Sequence, residues 1–228
     1  MAGHNTRLDA QSAQRLQAWH NLPGPASRPL LDDARFVVVD VETSGLNPSR
    51  DQLIAIGAVA VQSGRIIVED SFEVILRQGN VSGKDNILVH GIGAASQAGG
   101  TPPADALIGF LEYLGKDPLI AFHVTFDETA IRRALRKFLQ LNFKHVWLDL
   151  AYVIPALYSD QASECRTLDD WMHYFDIANV ARHNALADAL ATAELLLIAF
   201  NKARHAGIDH LSGLQALEQA QRWVNWAR

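Results

Sequence analysis

Three apolar segments near the beginning of the chain restrict its fold most strongly. A run rich in β-branched residues, Phe36 to Val41, precedes two further apolar segments, Gln52 to Val61 and Arg65 to Leu76. Ser63-Gly64 separates the last two, which predicts an antiparallel hairpin beside the first strand. Later in the chain, short apolar runs alternate with helical patterns. Strands that first cluster and then alternate with helices predict an α/β fold, with one mixed five-stranded sheet flanked by helices.

The remaining elements are predicted from apolar periodicity and from the positions of Gly and Pro. A loop is expected from Gln78 to Asp85 because this stretch contains Gly and Asn. The other predicted elements are strands at Leu119 to Phe122 and Val146 to Leu148, and helices at Ala104 to Leu114, Asp127 to Leu141, Leu150 to Leu157, Leu168 to Phe175 and Ala185 to Asn201.

The chain is predicted to divide into three parts. With 228 residues, of which 49% are hydrophobic, it can bury one sizeable core, which we assign to residues 34–200. Residues 1–33 form an N-terminal extension, with a helix at Thr6 to Asn21 followed by a Pro-rich linker. Residues 201–228 form a C-terminal extension with helical spacing of apolar residues from Leu211 to Trp226. Each extension either packs on the core or presents a face to a partner.

Two carboxylates follow the first apolar strand. Side chains alternate faces along a strand, so Asp40 and Glu42 point to the same side, next to a turn at Gly45. Paired carboxylates are either solvated or neutralised by a cation, and hard oxygen ligands suit magnesium or manganese. Alone, the pair is weak evidence, because other acidic neighbours such as Asp32-Asp33 are typical of exposed loops.

Asp127 lies where an apolar run, Leu119 to Phe122, gives way to an amphipathic helix. At such a strand-to-helix junction a carboxylate can reach a site at the edge of the sheet. It is also a common helix N-cap, because its oxygen accepts an otherwise unpaired backbone N–H. The pattern around Asp127 leaves both interpretations open.

His183 and Asp188 are five residues apart, and on one continuous helix they would point more than a right angle away from each other. If Asn184 caps the helix, His183 belongs to the preceding loop and Asp188 to an early turn. Both could then reach one site. The alternative is an exposed loop histidine and an unrelated helical acid, each of which is common.

Together, these positions would supply four carboxylates and one imidazole. Two divalent ions roughly 4 Å apart can stabilise the attacking and leaving oxygens of a phosphodiester, and they require several acidic ligands from separate elements. Histidine titrates near neutral pH and can accept the proton of the attacking water. The set is therefore sufficient for two-metal phosphodiester hydrolysis.

Three segments resemble, in order and spacing, the exonuclease motifs of the DEDD superfamily. They are Asp40-x-Glu42-Thr43-x-Gly45-Leu46, Phe126-Asp127 and His183-x-Ala185-x-x-Asp188-Ala189. The histidine five residues before the last aspartate is typical of the DEDDh branch, which includes the proofreading epsilon subunit of bacterial DNA polymerase III, ribonuclease T and oligoribonuclease. The resemblance implies a ribonuclease H-like fold, two magnesium or manganese ions, and removal of nucleotides from 3′ ends.

The resemblance also implies a role for each matching residue. Asp40, Glu42, Asp127 and Asp188 would bind the metals and His183 would activate water, and all five would be catalytic. The residues that would contact the substrate are Thr43, Gly45, Leu46, His90, His123 and Phe126. Many relatives have His-Asn where this chain has Phe122-His123, so a polar contact is missing or replaced. Phe122 would fill core space, and His123 could contact a phosphate.

The formal net charge of −5 is unusual for a nucleic-acid protein. An exonuclease needs only the last few nucleotides, and its metal ions offset part of the acidic repulsion. One basic cluster follows Asp127: it consists of Arg132, Arg133, Arg136 and Lys137. We interpret it as a solvated helix face. It would become a track for the nucleic-acid backbone if Lys144 and His145 lie on the same side.

The sequence contains no apolar run long enough to cross a bilayer and no basic-then-apolar signal region, so we expect a cytoplasmic protein without membrane contact. The lone Cys165 is expected to be a small buried hydrophobe.

The resulting hypothesis is a metal-dependent 3′-to-5′ exonuclease that releases nucleoside monophosphates from single-stranded or frayed DNA. The alternatives are an RNA-trimming exoribonuclease and a non-catalytic docking subunit of a polymerase complex. A homodimer and a polymerase partner both remain open at this stage.

Overall fold

The computed structural model describes residues 8–179 and 181–226, and its centre is a five-stranded sheet. The strands are β1 (Phe36–Thr43), β2 (Leu53–Gln62), β3 (Arg65–Ile75), β4 (Leu119–Ala121) and β5 (Trp147–Asp149). Their order is β3-β2-β1-β4-β5. The first three are antiparallel, whereas β4 is parallel to both β1 and β5. The predicted mixed five-stranded sheet is confirmed.

Helices cover both faces of this sheet. They are α1 (Ala10–His20), α2 (Lys84–His90), α3 (Ala94–Gly99), α4 (Pro103–Leu114), α5 (Val124–Leu139), α6 (Leu150–Leu157), α7 (Leu168–Tyr174), α8 (Ala185–His205) and α9 (Leu211–Trp226). Side chains of β1 alternate between two cores, as the strand geometry requires. Val37 and Val39 face the core under α4 and α5, and Phe36 and Val38 face the core under α6 and α8.

Several element boundaries differ from the prediction. The loop expected up to Asp85 is wrong at its end, because α2 begins at Lys84 and α3 follows it. Both helices are short, and their N-caps are glycines without a side-chain cap, so neither has a strong sequence signal. Helix α5 begins at Val124, one turn before Asp127, because His123 takes a left-handed conformation with φ of 68°. Helix α8 continues beyond Asn201 to His205.

The N-terminal extension packs on the core through α1, where Trp19 donates a 2.8 Å hydrogen bond to the carbonyl of Gly115. The helix expected from Thr6 to Asn21 is observed as Ala10–His20, and residues 6 and 7 lie outside the described residues.

In the C-terminal extension, the predicted helix at Leu211 to Trp226 is α9, which packs against α6. The three-part division of the chain stays a prediction. Of the helices within residues 8–179 and 181–226, none is both long and apolar enough to cross a membrane.

Gly57 of β2 allows α8 to approach the sheet closely. It is paired with Asp40 in the β1–β2 ladder. A Cβ atom at Gly57 would lie 2.2 Å from the backbone nitrogen of Leu186 and 2.3 Å from the carbonyl carbon of Ala185. The missing side chain therefore brings the start of α8, with Asp188, next to β1.

We expect Gly57→Ala to lower the free energy of unfolding by at least about 2 kcal/mol, because the obstructing atoms are backbone and cannot rotate away. Urea unfolding would measure the change. Gly109→Ala is the matched control: its Cβ would meet only the Phe72 ring at 3.6 Å, and alanine favours the helix. Equal stability of the two variants would contradict close packing at Gly57.

Candidate active site

The end of β1 presents the predicted acidic pair. Asp40 and Glu42 are both half-buried and lie on the same side of the strand. One carboxylate oxygen from each, together with one from Asp188, form a group whose members lie within 4.8 Å of one another. The structure therefore brings two chain segments that are far apart in sequence into one acidic cluster, as the sequence predicts.

Asp127, in the first turn of α5, lies close enough to influence Asp40 electrostatically, but it is not in the group of three whose oxygens lie within 4.8 Å of one another. Its carboxylate is buried and accepts a hydrogen bond from the N–H of Val41, the residue between Asp40 and Glu42. The negative charge of Asp127 raises the pKa of Asp40, after burial, which is the larger cause. Asp127 is not the N-cap of α5. The N-cap is His123, whose side chain makes no capping hydrogen bond.

Asp188 is held at the beginning of α8 by several donors. Its carboxylate accepts hydrogen bonds from Asn179 Nδ2 at 2.6 Å and from the backbone N–H of His183 at 3.1 Å, and it forms an ion pair with Arg182. Asn184 caps α8 by accepting a bond from the N–H of Ala187. The predicted cap is confirmed, and it leaves His183 in the loop.

Arg182 and Asn179 were not predicted from the sequence. Arg182 lies between Asp188 and Asp169, whose carboxylate it contacts at 2.6 Å. Its positive charge opposes the raised pKa values of Asp40 and Glu42. Neither residue belongs to a recognised motif, and only the folded loop shows that both contact Asp188.

His183 lies in this loop with an exposed side chain and a left-handed backbone, with φ of 63°. Its backbone N–H binds the carboxylate of Asp188, so the residue itself lies next to the acidic cluster. No hydrogen bond to the ring is recorded among the described residues, so its nitrogens are available to a substrate or water.

The acidic cluster has the donor chemistry that divalent cations prefer. Burial raises the pKa of Asp40 and of Asp127 well above the usual range. Burial, followed by the charge of Asp188, raises the pKa of Glu42 to about 8. Hard cations stabilise the ionised form of carboxylates whose pKa values are raised in this way, and oxygen-only ligands fit magnesium or manganese.

Replacing Glu42 by Gln is expected to change how stability depends on pH in EDTA. The folded state of the wild type binds an extra proton between about pH 4.5 and 8, so the free energy of unfolding falls as pH rises through this window. The glutamine variant has no ionisable group at this position, so its free energy of unfolding does not fall for this reason as pH rises. We expect it to match the wild type near pH 4.5 and to exceed it by a few kcal/mol at pH 8.5.

Urea unfolding of both proteins at the two pH values measures this difference. At pH 8.5, addition of Mg²⁺ or Mn²⁺ should raise the free energy of unfolding of the wild type more than that of Glu42→Gln. A constant difference between the two proteins at both pH values would contradict a protonated Glu42.

The turn after β1 places three of the predicted substrate contacts. Leu46 is 94% exposed, so its side chain is free to meet a nucleotide. The hydroxyl of Thr43 donates to the carbonyl of Gly45 at 2.5 Å, and thereby shapes the turn. A Cβ atom at Gly45 would lie 2.5 Å from Oδ2 of Asp51, so glycine permits this close approach.

His123 and Phe126 line an open cleft of about 330 Å³, together with Asp149 and Tyr152, and none of the four predicted metal ligands lines it. At its base, the buried Asp149 accepts hydrogen bonds from the N–H of His123 and from Arg222 of α9. Phe122 is buried in the core, as expected. The exposed ring of His123 is thus free to contact a ligand in the cleft.

His90 ends α2 and is buried, with its ring nitrogens engaged by Asn86 at 2.8 Å and by the N–H of Ile92 at 2.9 Å. Burial lowers its pKa. These bonds orient the turn after α2, and the contact of His90 with a substrate stays a prediction.

Comparisons with known proteins agree with this geometry. The model of the exonuclease family RNase_T matches residues 37–196. A DNA polymerase III subunit epsilon-like protein of Rhodobacter capsulatus is 34% identical over 172 residues, which cover 73% of this chain and 24% of that protein. The PolC-type DNA polymerase III of Bacillus subtilis is 31% identical, over 81% of this chain and 13% of the polymerase.

The chain thus spans about an eighth to a quarter of the length of these relatives. Solved structures share the fold. E. coli Exonuclease I in complex with a dT13 oligonucleotide matches with a TM-score of 0.62 and 18% identity, over 76% of this chain and 42% of that one. Cell-death related nuclease 4 matches with a TM-score of 0.63 and 15% identity, over 75% and 64%.

Proposed function

Because the chain belongs to the RNase_T family of exonucleases, we propose that it is a metal-dependent 3′-to-5′ exonuclease that hydrolyses terminal phosphodiester bonds of single-stranded or frayed DNA and releases nucleoside 5′-monophosphates. The observation that supports this most strongly is the convergence of three carboxylates from β1 and α8, with the buried Asp127 of α5 acting on Asp40 and with His183 in the loop bound to Asp188. We assign the activity to residues 34–200, flanked by the extensions 1–33 and 201–228.

In this proposal, Asp40, Glu42, Asp127 and Asp188 hold two divalent ions, Mg²⁺ or Mn²⁺. When bound, such ions stabilise negative charge on the phosphate and on the leaving oxygen. His183 accepts the proton of the attacking water at a free ring nitrogen. The backbone N–H of His183 contacts Asp188, so the loop that carries the imidazole is attached to the acidic cluster.

The residues around the cluster hold the end of the strand. The exposed Leu46 packs against the terminal base, and this contact tolerates any sequence because every base has an apolar face. Phe126 and His123 line the cleft on the other side and contact the sugar and phosphate. Thr43 and Gly45 fix the turn from which Leu46 projects.

The preference for DNA is supported by the epsilon-like and PolC-type relatives, which are named as DNA polymerase components. The alternative of a non-catalytic docking subunit is not favoured, because the four carboxylates and His183 are all present.

A substrate panel tests the proposal. The purified chain would be incubated with 3′-labelled and 5′-labelled DNA and RNA oligomers in Mg²⁺, Mn²⁺ or EDTA. We expect single nucleotides to be released from the 3′ end of DNA in either metal and none in EDTA. Hydrolysis of RNA but not of DNA would show that the protein is an exoribonuclease. A protein that is inactive with every metal would favour the non-catalytic docking subunit.

A further inference from the structure

The exposed face of α5 contains a cleft of about 170 Å³ that is lined by three arginines, Arg132, Arg133 and Arg136, with Thr129 and Asn142 beside them. Among the described residues that line this cleft, none is acidic. Guanidinium groups that share a cleft repel one another unless an anion lies between them. In a chain with a net charge of −5, such a site is a local exception that favours a negatively charged ligand.

Existing contacts leave most of this positive charge available. Arg132 has an ion pair with Glu128 at 3.6 Å, but both side chains are partly exposed, so the pair contributes little. Arg136 is exposed and has no ion pair recorded among the described residues.

Arg133 connects the cleft to the active site. Its guanidinium donates hydrogen bonds to the carbonyls of Pro48 at 2.5 Å and Asp51 at 2.8 Å. These residues belong to the loop that follows Leu46. The second terminal nitrogen donates to the carbonyl of Arg50 at 3.2 Å. Arg133 also lines the cleft, so the arginine side of α5 adjoins the loop after the turn that would meet the terminal nucleotide.

The distance from the catalytic cluster suits a bound strand. Asp127 and Arg136 are nine residues apart on α5, which is about 14 Å along the helix axis and half a turn around it. A strand that leaves the cluster would therefore pass around α5, beside the loop that Arg133 contacts. A stacked strand rises about 3.4 Å per nucleotide, so the axial distance alone corresponds to about four nucleotides.

We propose that this arginine cleft binds a backbone phosphate of the nucleic-acid strand a few nucleotides from its 3′ end. Guanidinium groups recognise phosphate oxygens with paired hydrogen bonds, and the contact is independent of base sequence. The inference rests on the proposed function and adds a second point of attachment, which strengthens the binding of a polyanion to an acidic protein.

The test compares Arg132→Gln/Arg136→Gln with a charge-matched control, Arg28→Gln/Arg65→Gln, whose side chains are exposed elsewhere. Two substrates are used: an oligothymidylate of about 12 nucleotides, and the nitrophenyl ester of thymidine 5′-monophosphate, which is too short to reach the cleft. We expect KM for the oligomer to rise about tenfold in the α5 variant, with a shallower dependence on salt. The ester should be hydrolysed at the wild-type rate.

The outcomes separate the two proposals. An equal loss on both substrates in the α5 variant would assign the arginines a structural role, and unchanged kinetics would make them a solvated helix face; either would overturn the inference. Recovery of oligomer KM by Arg132→Lys/Arg136→Lys would support a charge contact. If the wild type hydrolyses neither substrate, the proposed function itself fails.

Discussion

Asp188→Asn is expected to reduce the rate of phosphodiester hydrolysis by at least about a thousandfold, which corresponds to about 4 kcal/mol of lost transition-state stabilisation. The carboxylate of Asp188 lies within 4.8 Å of those of Asp40 and Glu42, and in the proposed function it is a ligand of the ion bound there. Asparagine has nearly the same shape but offers only one oxygen and no charge. Affinity for Mn²⁺ should therefore fall together with the rate.

Release of labelled nucleotides from an oligomer measures the rate, and the rise in melting temperature with added Mn²⁺ reports ion binding. Asp160→Asn is the matched control, because Asp160 is an exposed carboxylate outside the cluster. Wild-type turnover in Asp188→Asn would refute the ligand assignment. A loss of rate with unchanged ion binding would instead place Asp188 in substrate contact.

Arg182 explains how the acidic cluster accommodates the negative charge of its carboxylates. Arg182 forms an ion pair with Asp188 and opposes the raised pKa values of Asp40 and Glu42. A buried group of carboxylates without such a partner would be strongly destabilising. One cation thus offsets part of the repulsion, and the remaining strain is the reason that divalent ions should stabilise the fold.

Local patterns predict the sheet and part of the acidic cluster. Alternation along β1 places Asp40 and Glu42 on one side, and the cap at Asn184 separates His183 from Asp188; both features are found in the structure. The apolar runs also predict five strands. The assignment of Asp127 and Asp188 to the same site as Asp40 and Glu42 is implied by the resemblance to the exonuclease motifs, because residue patterns alone leave it open.

Contacts between distant loops could not be predicted in this way. Asn179 contacts Asp188 only because the loop before α8 folds back, and Asp149 binds Arg222 from a helix that lies 73 residues further along the chain. The start of α5 was also missed, since it depends on the left-handed backbone of His123, a residue with no special sequence signal. Tertiary packing, rather than local preference, sets these features.

The arginines of α5 show the same limit. From the sequence alone, we interpret them as a solvated helix face. The structure adds that they border a cleft with Asn142, a residue beyond the end of the helix, and that Arg133 reaches the loop after Leu46. Neither fact follows from helical spacing alone.

His183→Asn is expected to lower kcat by about a hundredfold to a thousandfold while divalent-ion affinity stays near that of the wild type. Asparagine removes the imidazole that accepts the proton of the attacking water. It also tolerates the left-handed backbone at φ of 63°, whereas alanine would add strain there. The backbone N–H that binds Asp188 is retained, so the acidic cluster should keep its shape.

Comparison of His183→Asn with Asp188→Asn distinguishes a general base from a metal ligand. Only Asp188→Asn should lose both the hydrolysis rate and the affinity for divalent ions. His173→Asn is the control, since His173 is exposed on α7. The deficit of His183→Asn should also shrink as pH rises, because hydroxide can replace the missing base. Activity within about twofold of the wild type would mean that another group accepts the proton. A parallel loss of Mn²⁺ affinity would mean that His183 acts by holding the loop around Asp188.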